Sequence, residues 1–204
     1  MLRFSTDNFS EEKRLDAYRE IYSRTIVKHD IEPLGDQHKA LRAAFSCGSE
    51  LLDRYLKELA SQDVKRRAAA PYILVSKDNH IAGYYTLSSD SIRADDLPPG
   101  MVQQLNFPRY PVIGATLIGR LARDLAFKGK GVGDLLLADA LKRSLESSRQ
   151  IASAAVIVDA KDAKAHRFYA DFGFIAFPES TKRLFLPMQT VEKLYPASVP
   201  AEPV

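Results

Sequence analysis

The run from Leu121 to Leu141, LARDLAFKGKGVGDLLLADAL, constrains this chain more than any other part of it. It reads as a strand that ends in a glycine-rich turn, and the turn opens directly into an amphipathic helix. Gly129, Gly131 and Gly133 sit at alternate positions in that turn, beside Lys128 and Lys130. Glycines there let the backbone come close to a ligand and point successive N–H groups at one spot. The helix N-terminus behind them adds about half a positive charge. Such a place binds phosphate without needing any particular side chain. A phosphorylated ligand is the expectation.

Two other glycine-rich loops do not fit. A Walker A loop needs Gly-Lys followed by Ser or Thr to hold magnesium, and here Gly129-Lys130 is followed by Gly131. A dinucleotide fingerprint needs a third glycine where this chain has Leu136, and a position near the first strand of a βαβ unit. The segment Lys128, Gly129, Lys130, Gly131, Val132, Gly133 resembles the pyrophosphate loop of the GNAT acyltransferases, Q/R-x-x-G-x-G/A. Lys128 departs from the usual Gln or Arg. A loop that works mainly through backbone amides tolerates that change. The resemblance implies acetyl-CoA as cosubstrate, with its pyrophosphate on Lys128 to Gly133 and its pantetheine arm along the strand end at Leu121, Ala122 and Arg123.

The chain has 204 residues, enough for one domain with a full core and a short appendage. No stretch approaches the roughly 20 apolar residues of a membrane span. The N-terminus is polar from Ser5 to Lys13, which is not a signal-peptide core, so a cytoplasmic location is expected. Cys47 is the single cysteine, which excludes an intramolecular disulfide and a cysteine-based metal site. No metal is expected. Net charge is only +3, too small to announce nucleic-acid binding. Three basic clusters stand out: Lys65–Arg67; Arg120, Arg123, Lys128 and Lys130; and Lys142, Arg143 and Arg149. The second surrounds the phosphate loop.

Periodicity predicts helices over 10–24, with Leu15, Tyr18 and Tyr22 on one face, and over 49–66, through Leu52, Tyr55, Leu56 and Leu59. Tyr72–Ser76 and Ile81–Ser88 read as a hairpin about Asp78-Asn79. A loop with four prolines spans Asp95 to Pro111. Val112–Ala122 reads as a buried strand, followed by the helix from Val132 to about Ser147. Ala154–Val158, Gly173–Phe177 and Leu184–Gln189 read as strands, Asp162–Phe172 as a helix, and Pro196–Val204 as a frayed tail.

In AKDAKAHRFYADFGF, Ala160 to Phe174, Phe168 and Phe172 are four apart and expected in the core, while Tyr169 lies one position round, at a cleft edge. His166 is expected at the surface. The element resembles the GNAT F-Y-x-x-x-G-F segment, which implies that Tyr169 is the general acid protonating the departing thiolate; a phenol suits that task. Val112 to Arg123 contains no carboxylate to serve as a base. A lysine acceptor, pKa about 10.4, would need one more than an α-amine at about 7.7–8.0. The absence favours an α-amine.

From about Ile31 to Leu194, four segments resemble the GNAT toxins of bacterial type II toxin–antitoxin pairs: FSCGSELLDRYLKELA, YILVSKDNHIAGYYTLSS, RYPVIGATLIGRLARD and RLFLPMQT. Arg123 stands where that family often has an apolar residue. Residues 1–33 are more similar to the start of the effector-binding region of AraC-type regulators. The resemblance implies a mixed central sheet flanked by helices: a helical extension at 1–33, a GNAT N-acetyltransferase domain at 34–194 and a flexible tail at 195–204. It implies acetylation of the α-amine of aminoacyl-tRNA to block translation, a ribbon-helix-helix antitoxin as partner, and room for a homodimer. An ordinary acetyltransferase of a small amine or protein N-terminus, and a non-catalytic acyl-CoA-sensing module, are the alternatives.

Overall fold

The computed structural model describes residues 31–195 except 99, 106, 108, 109 and 181. The helix expected at 10–24, the regulator-like segment before Ile31 and the tail from Pro196 lie outside the described residues. Seven strands form one sheet: β1 (Ile31–Pro33), β2 (Ala70–Val75), β3 (Ile81–Arg93), β4 (Val112–Arg123), β5 (Ala155–Asp159), β6 (Ile175–Ala176) and β7 (Arg183–Pro187). Their order is β1-β2-β3-β4-β5-β7-β6. Every pairing is antiparallel except β4 with β5.

The helices are α1 (Lys39–Arg42), α2, α3 (Met101–Gln104), α4 (Val132–Ser148), α5 (Ala163–Asp171) and α6 (Met188–Leu194). Helix α2 runs from Glu50–Arg54 through a π turn at Tyr55–Leu59 into Ala60–Arg66. Its apolar residues recur every three or four positions, and Tyr55, Leu56 and Ala60 are buried on its inner face. Left-handed Arg67 (φ 57°) ends it. In α4, Gly131 occupies the N-cap with φ 75°, and Leu135, Leu136, Ala140 and Leu141 are buried as their spacing predicts. Helix α4 comes close to the sheet where β3 has Gly83. A Cβ there would lie 2.6 Å from Leu136 Cδ1 and 2.7 Å from the Ala122 carbonyl oxygen.

Four expectations need correction. Strand β3 runs five residues past Ser88, because Ser88 to Arg93 stay paired with β4. The proline-rich segment is not all loop, since Met101–Gln104 form a helical turn. The last strand stops at Pro187, and Met188–Leu194 fold as a helix that buries Met188, Val191 and Leu194. The Gly173–Phe177 strand shrinks to two paired residues.

The sheet's two faces bury different cores. One face packs Tyr85, Leu87, Ile118, Val156 and Val158 against α4, α5 and α6. The other carries two separate clusters. Phe45, Tyr55, Leu56, Tyr84 and Ala122 gather at α2. Ile92, Leu97, Phe107, Ile113, Ala115, Ile157 and Phe185 gather around the 94–107 segment. Strand alternation puts Thr86, Ser88, Asp90 and Arg120 on the ground between those two clusters.

Candidate functional site

Strands β4 and β5 run together only for four residue pairs, Ala115–Ile118 against Ala155–Val158. At the next residue β4 bulges: Leu87 pairs Ile118 while Thr86 pairs Arg120, leaving Gly119 unpaired. A bulge turns the strand and increases its twist. From Gly119 to Arg123, β4 therefore has β3 on one side and no β5 partner on the other. This opening is the gap in the sheet. Leu121 packs toward the α4 face, and Ala122 is buried under α2. The Arg123 guanidinium donates to the Asp124 carbonyl at 3.1 Å.

The glycine-rich loop closes one end of the gap. Asp124 fixes its start: one carboxylate oxygen accepts from the Ala126 amide and the other from the Ser46 amide, both at 2.8 Å. A short turn, Leu125–Phe127, follows. The Lys128 amide then donates to the Leu125 carbonyl at 3.1 Å, and that of Lys130 to Phe127 at 3.3 Å. Gly129 and Gly131 have φ of 77° and 75°, the left-handed region that glycine enters without steric cost. A Cβ at either would meet nothing within 4 Å, so both border open space. The first helical bond of α4 runs from the Leu135 amide to the Gly131 carbonyl at 3.1 Å. The opening-turn amides at Val132 and Gly133 have no intrahelical acceptor. Of the six loop residues expected to offer amides, Lys128 and Lys130 spend theirs within the loop. The geometry leaves Gly129, Gly131, Val132 and Gly133 for an anion. The Lys128 and Lys130 side chains are exposed, with Lys130 Nζ 4.8 Å from the Phe127 ring centroid.

Tyr169 lies in the core on the α4 face, its ring against Phe168, which borders the loop at Gly133. Asp162 caps α5 by accepting from the Ala165 amide at 2.7 Å, and Gly173 (φ 82°) follows its end. The expected division of the aromatic residues holds only in part: Phe168 and Phe172 pack against the core, but Tyr169 is the more enclosed. Tyr169 is the buried residue of α5, 7% exposed, whereas Phe168 and Phe172 are half-buried. The Tyr169 ring is wedged between those of Phe168 and Phe174, at 5.3 and 5.5 Å. Phe168 leans toward Gly133 and would contact a Cβ there at 3.8 Å. The Tyr169 hydroxyl has no hydrogen-bond partner among the described residues. Burial, and then the nearby Asp159 charge, push its pKa well above the usual tyrosine range. The phenol is thus fully protonated at neutral pH. His166 is half-buried rather than at the surface.

The opposite face of the gap holds charged groups that the sequence did not join. Arg120 lies over the Tyr55 ring at 3.6 Å from its centroid. Arg183, at the start of β7, is ion-paired with Asp90 of β3 and with Asp159 of β5, the latter at 3.3 Å. These residues are far apart in sequence, and only the sheet order brings them together. A signal for Asp159 existed: a carboxylate ending the apolar run Ala155–Val158. The Lys142, Arg143 and Arg149 cluster is not one surface. Arg143 is tied to Asp139 at 2.8 Å, to the Ile31 carbonyl at 2.8 Å and to the Tyr72 ring at 4.4 Å, where it fastens β1 to α4. Arg67 lines a groove of about 600 Å³ with Pro33, Tyr72 and Ser88, away from the loop. Among the described residues no group of His, Cys, Asp and Glu could hold a metal, and no helix is long and apolar enough to cross a membrane.

The family model for the acetyltransferase (GNAT) domain matches residues 112–194, which include the gap, the loop and Tyr169. A probable toxin TacT of Sinorhizobium fredii is 32% identical over 176 residues, covering 82% of this chain and 96% of that protein. A tRNA-acetylating toxin of Mycobacterium tuberculosis is 31% identical over 151 residues, covering 74% and 88%. Among solved structures, AtaT complexed with acetyl-methionyl-tRNAfMet superposes with a TM-score of 0.75 at 30% identity, covering 82% of this chain and 99% of that one. A mutant AtaT toxin bound to the C-terminus of the antitoxin AtaR and acetyl-CoA superposes with 0.69 at 27% identity, covering 83% and 99%. The seven-stranded mixed sheet flanked by helices is the GNAT fold, and this chain belongs to the GNAT acetyltransferases, in the family of toxins that includes TacT.

Proposed function

We propose that this N-acetyltransferase moves the acetyl group of acetyl-CoA onto the α-amine of an aminoacyl-tRNA and so blocks translation. The observation that carries the reading is the gap between β4 and β5, closed at one end by an amide cradle, in a chain related along most of its length to a tRNA-acetylating toxin.

The residues present fit acetyl-CoA. Left-handed Gly129 and Gly131, with open space where side chains would stand, let a pyrophosphate reach the amides of Gly129 and Gly131–Gly133. Lys128 and Lys130 add exposed positive charge beside it. The unpaired edge of β4 at Leu121, Ala122 and Arg123 offers backbone donors and acceptors to the amides of the pantetheine arm, as an added strand would. Acetyl-CoA supplies the acetyl group as a thioester. Tyr169, held protonated beside the gap, donates its proton to the departing sulfur. An α-amine is already partly neutral at pH 7, which suits a strand that offers no carboxylate.

The same reading places the protein in the cytoplasm, with a ribbon-helix-helix antitoxin as its neutralising partner and a homodimer as a compatible assembly. Residues 1–33 contribute no catalytic group in this reading, and the transferase unit is 34–194 with β1 fastened to its edge. The test incubates purified protein with labelled acetyl-CoA and either charged or uncharged tRNA. Label in charged tRNA alone supports the reading. Equal labelling of free amines or peptides, with charged tRNA ignored, overturns it in favour of an ordinary acetyltransferase.

A further inference from the structure

Asp159 is the last residue of β5, at the mouth of the gap. Along β5 the even-numbered residues Val156 and Val158 join the core under α4, α5 and α6, while Ala155 and Ile157 join the opposite core. Asp159 shares the parity of the latter pair, so its carboxylate stands on the face opposite Tyr169. Yet its charge reaches the Tyr169 phenol. The Phe168 ring, 5.3 Å from that of Tyr169, lies beside Gly133 of the loop, so Tyr169 and Asp159 approach the opening from its two sides. Arg183 holds the carboxylate by charge, its Nε 3.3 Å away but outside hydrogen-bond geometry, and Asp90 pairs with the far end of that guanidinium. The Asp159 side chain remains 53% exposed, so it has lone pairs available on the side of an incoming acceptor.

We propose that Asp159 receives the acceptor amine, and that Arg183, anchored by Asp90, is the residue that positions it. The inference rests on the reading that the acceptor is an α-amine on tRNA. Asp159 accepts a hydrogen bond from the amine and orients its lone pair toward the thioester carbonyl. As the nitrogen–carbon bond forms, the nitrogen becomes strongly acidic and its proton passes to Asp159. The carbon–sulfur bond then breaks, its electron pair stays on sulfur, and Tyr169 donates a proton there. Exchange with water afterwards returns a proton to Tyr169 and removes one from Asp159. The two groups are coupled in a useful direction. Protonating Asp159 removes the charge that helps hold the phenol's proton, when the sulfur needs it.

The test compares charged tRNA with the same pool converted to α-hydroxyacyl-tRNA, in which a hydroxyl replaces the amine. The α-ammonium that predominates at pH 7 pairs with the Asp159 carboxylate as a hydroxyl cannot, and loses that proton to water before the amine attacks. The wild-type protein should therefore bind the aminoacyl form about ten-fold more tightly, the low end for a hydrogen bond between charged groups that is partly exposed to water. Asp159→Asn should lose most of that preference and acetylate charged tRNA at least ten-fold more slowly, with acetyl-CoA affinity unchanged by calorimetry. Asp159→Ser should behave alike. An Asp159→Asn protein that keeps the full preference for the amine overturns the proposal, as does loss of acetyl-CoA binding in both variants, which would make Asp159 part of the cosubstrate site. A wild-type protein that leaves charged tRNA unlabelled refutes the substrate reading itself, a result distinct from either.

Discussion

Replacing Gly131 by Asp and, separately, by Asn isolates the electrostatic part of the phosphate cradle. Gly131 sits at φ 75° with nothing within 4 Å of its Cβ position. A new side chain there clashes with no protein atom but points into the space assigned to the pyrophosphate. Leaving glycine in the left-handed region costs about 1–2 kcal/mol, and Asn and Asp are the residues that best tolerate it. That cost is nearly equal for both variants and appears as a common fall in thermal stability. Their difference is one negative charge. Placed about 5 Å from a phosphate charge, it contributes about 0.8 kcal/mol of repulsion at the dielectric of water and about 3 kcal/mol at the effective value of a protein surface. The Asp variant should therefore bind acetyl-CoA roughly 4-fold to 150-fold more weakly than the Asn variant. The gap should narrow as salt is added. Calorimetric titration at low and moderate salt measures both effects. Equal affinity of folded Asp and Asn variants would refute the assignment of the pyrophosphate to this loop.

Tyr169→Phe should slow acetyl transfer by about 10²–10⁴-fold, measured with acetyl-CoA affinity unchanged, and near-normal turnover would remove Tyr169 from the mechanism. The hydroxyl has no hydrogen-bond partner among the described residues, so the same variant should unfold in urea within about 0.5 kcal/mol of the wild type. Gly83→Ala should cost about 1–3 kcal/mol in urea unfolding, because its Cβ would press on the Ala122 backbone oxygen and on Leu136, and an unchanged midpoint would contradict that close approach. Burial, and next a hydrogen bond to Asp53, push the Cys47 thiol up to about 11. Alkylation at pH 8 should accordingly be far slower than for a free cysteine, and an equal rate would contradict the burial. The unfolded chain ionises this thiol first, so the contribution of Cys47 to stability should fall as pH rises from about 9 toward 11.

The parts of this fold that were legible in the sequence are those set by local pattern. The alternation of glycines at 129, 131 and 133, and the helical spacing of Leu135, Leu136, Ala140 and Leu141, place a loop on a helix N-terminus from local pattern alone. Long-range placement was not legible. Tyr169 is more enclosed than Phe168 and Phe172 because Phe174 and the sheet cover it, and helical periodicity within 163–171 holds no information about that cover. The pattern of β3 runs only to Ser88 because Ser88 to Ser91 are polar, and only their pairing with Leu117 to Gly114 keeps them extended. The joining of Asp90, Asp159 and Arg183 depends on β3, β4, β5 and β7 lying side by side. The bulge at Gly119, which opens the gap, gave no signal beyond a glycine inside an apolar run.

The identity of the acceptor atom is tested most directly by the chemistry of the labelled product. Charged tRNA, labelled from acetyl-CoA by the purified protein, is treated with mild alkali to cleave the aminoacyl ester, and the released material is identified by mass spectrometry. The account predicts that all label leaves the RNA as N-acetyl amino acid, and that Tyr169→Phe yields little of it. Label that stays on the RNA, or is released as free acetate, would contradict transfer to the α-amine.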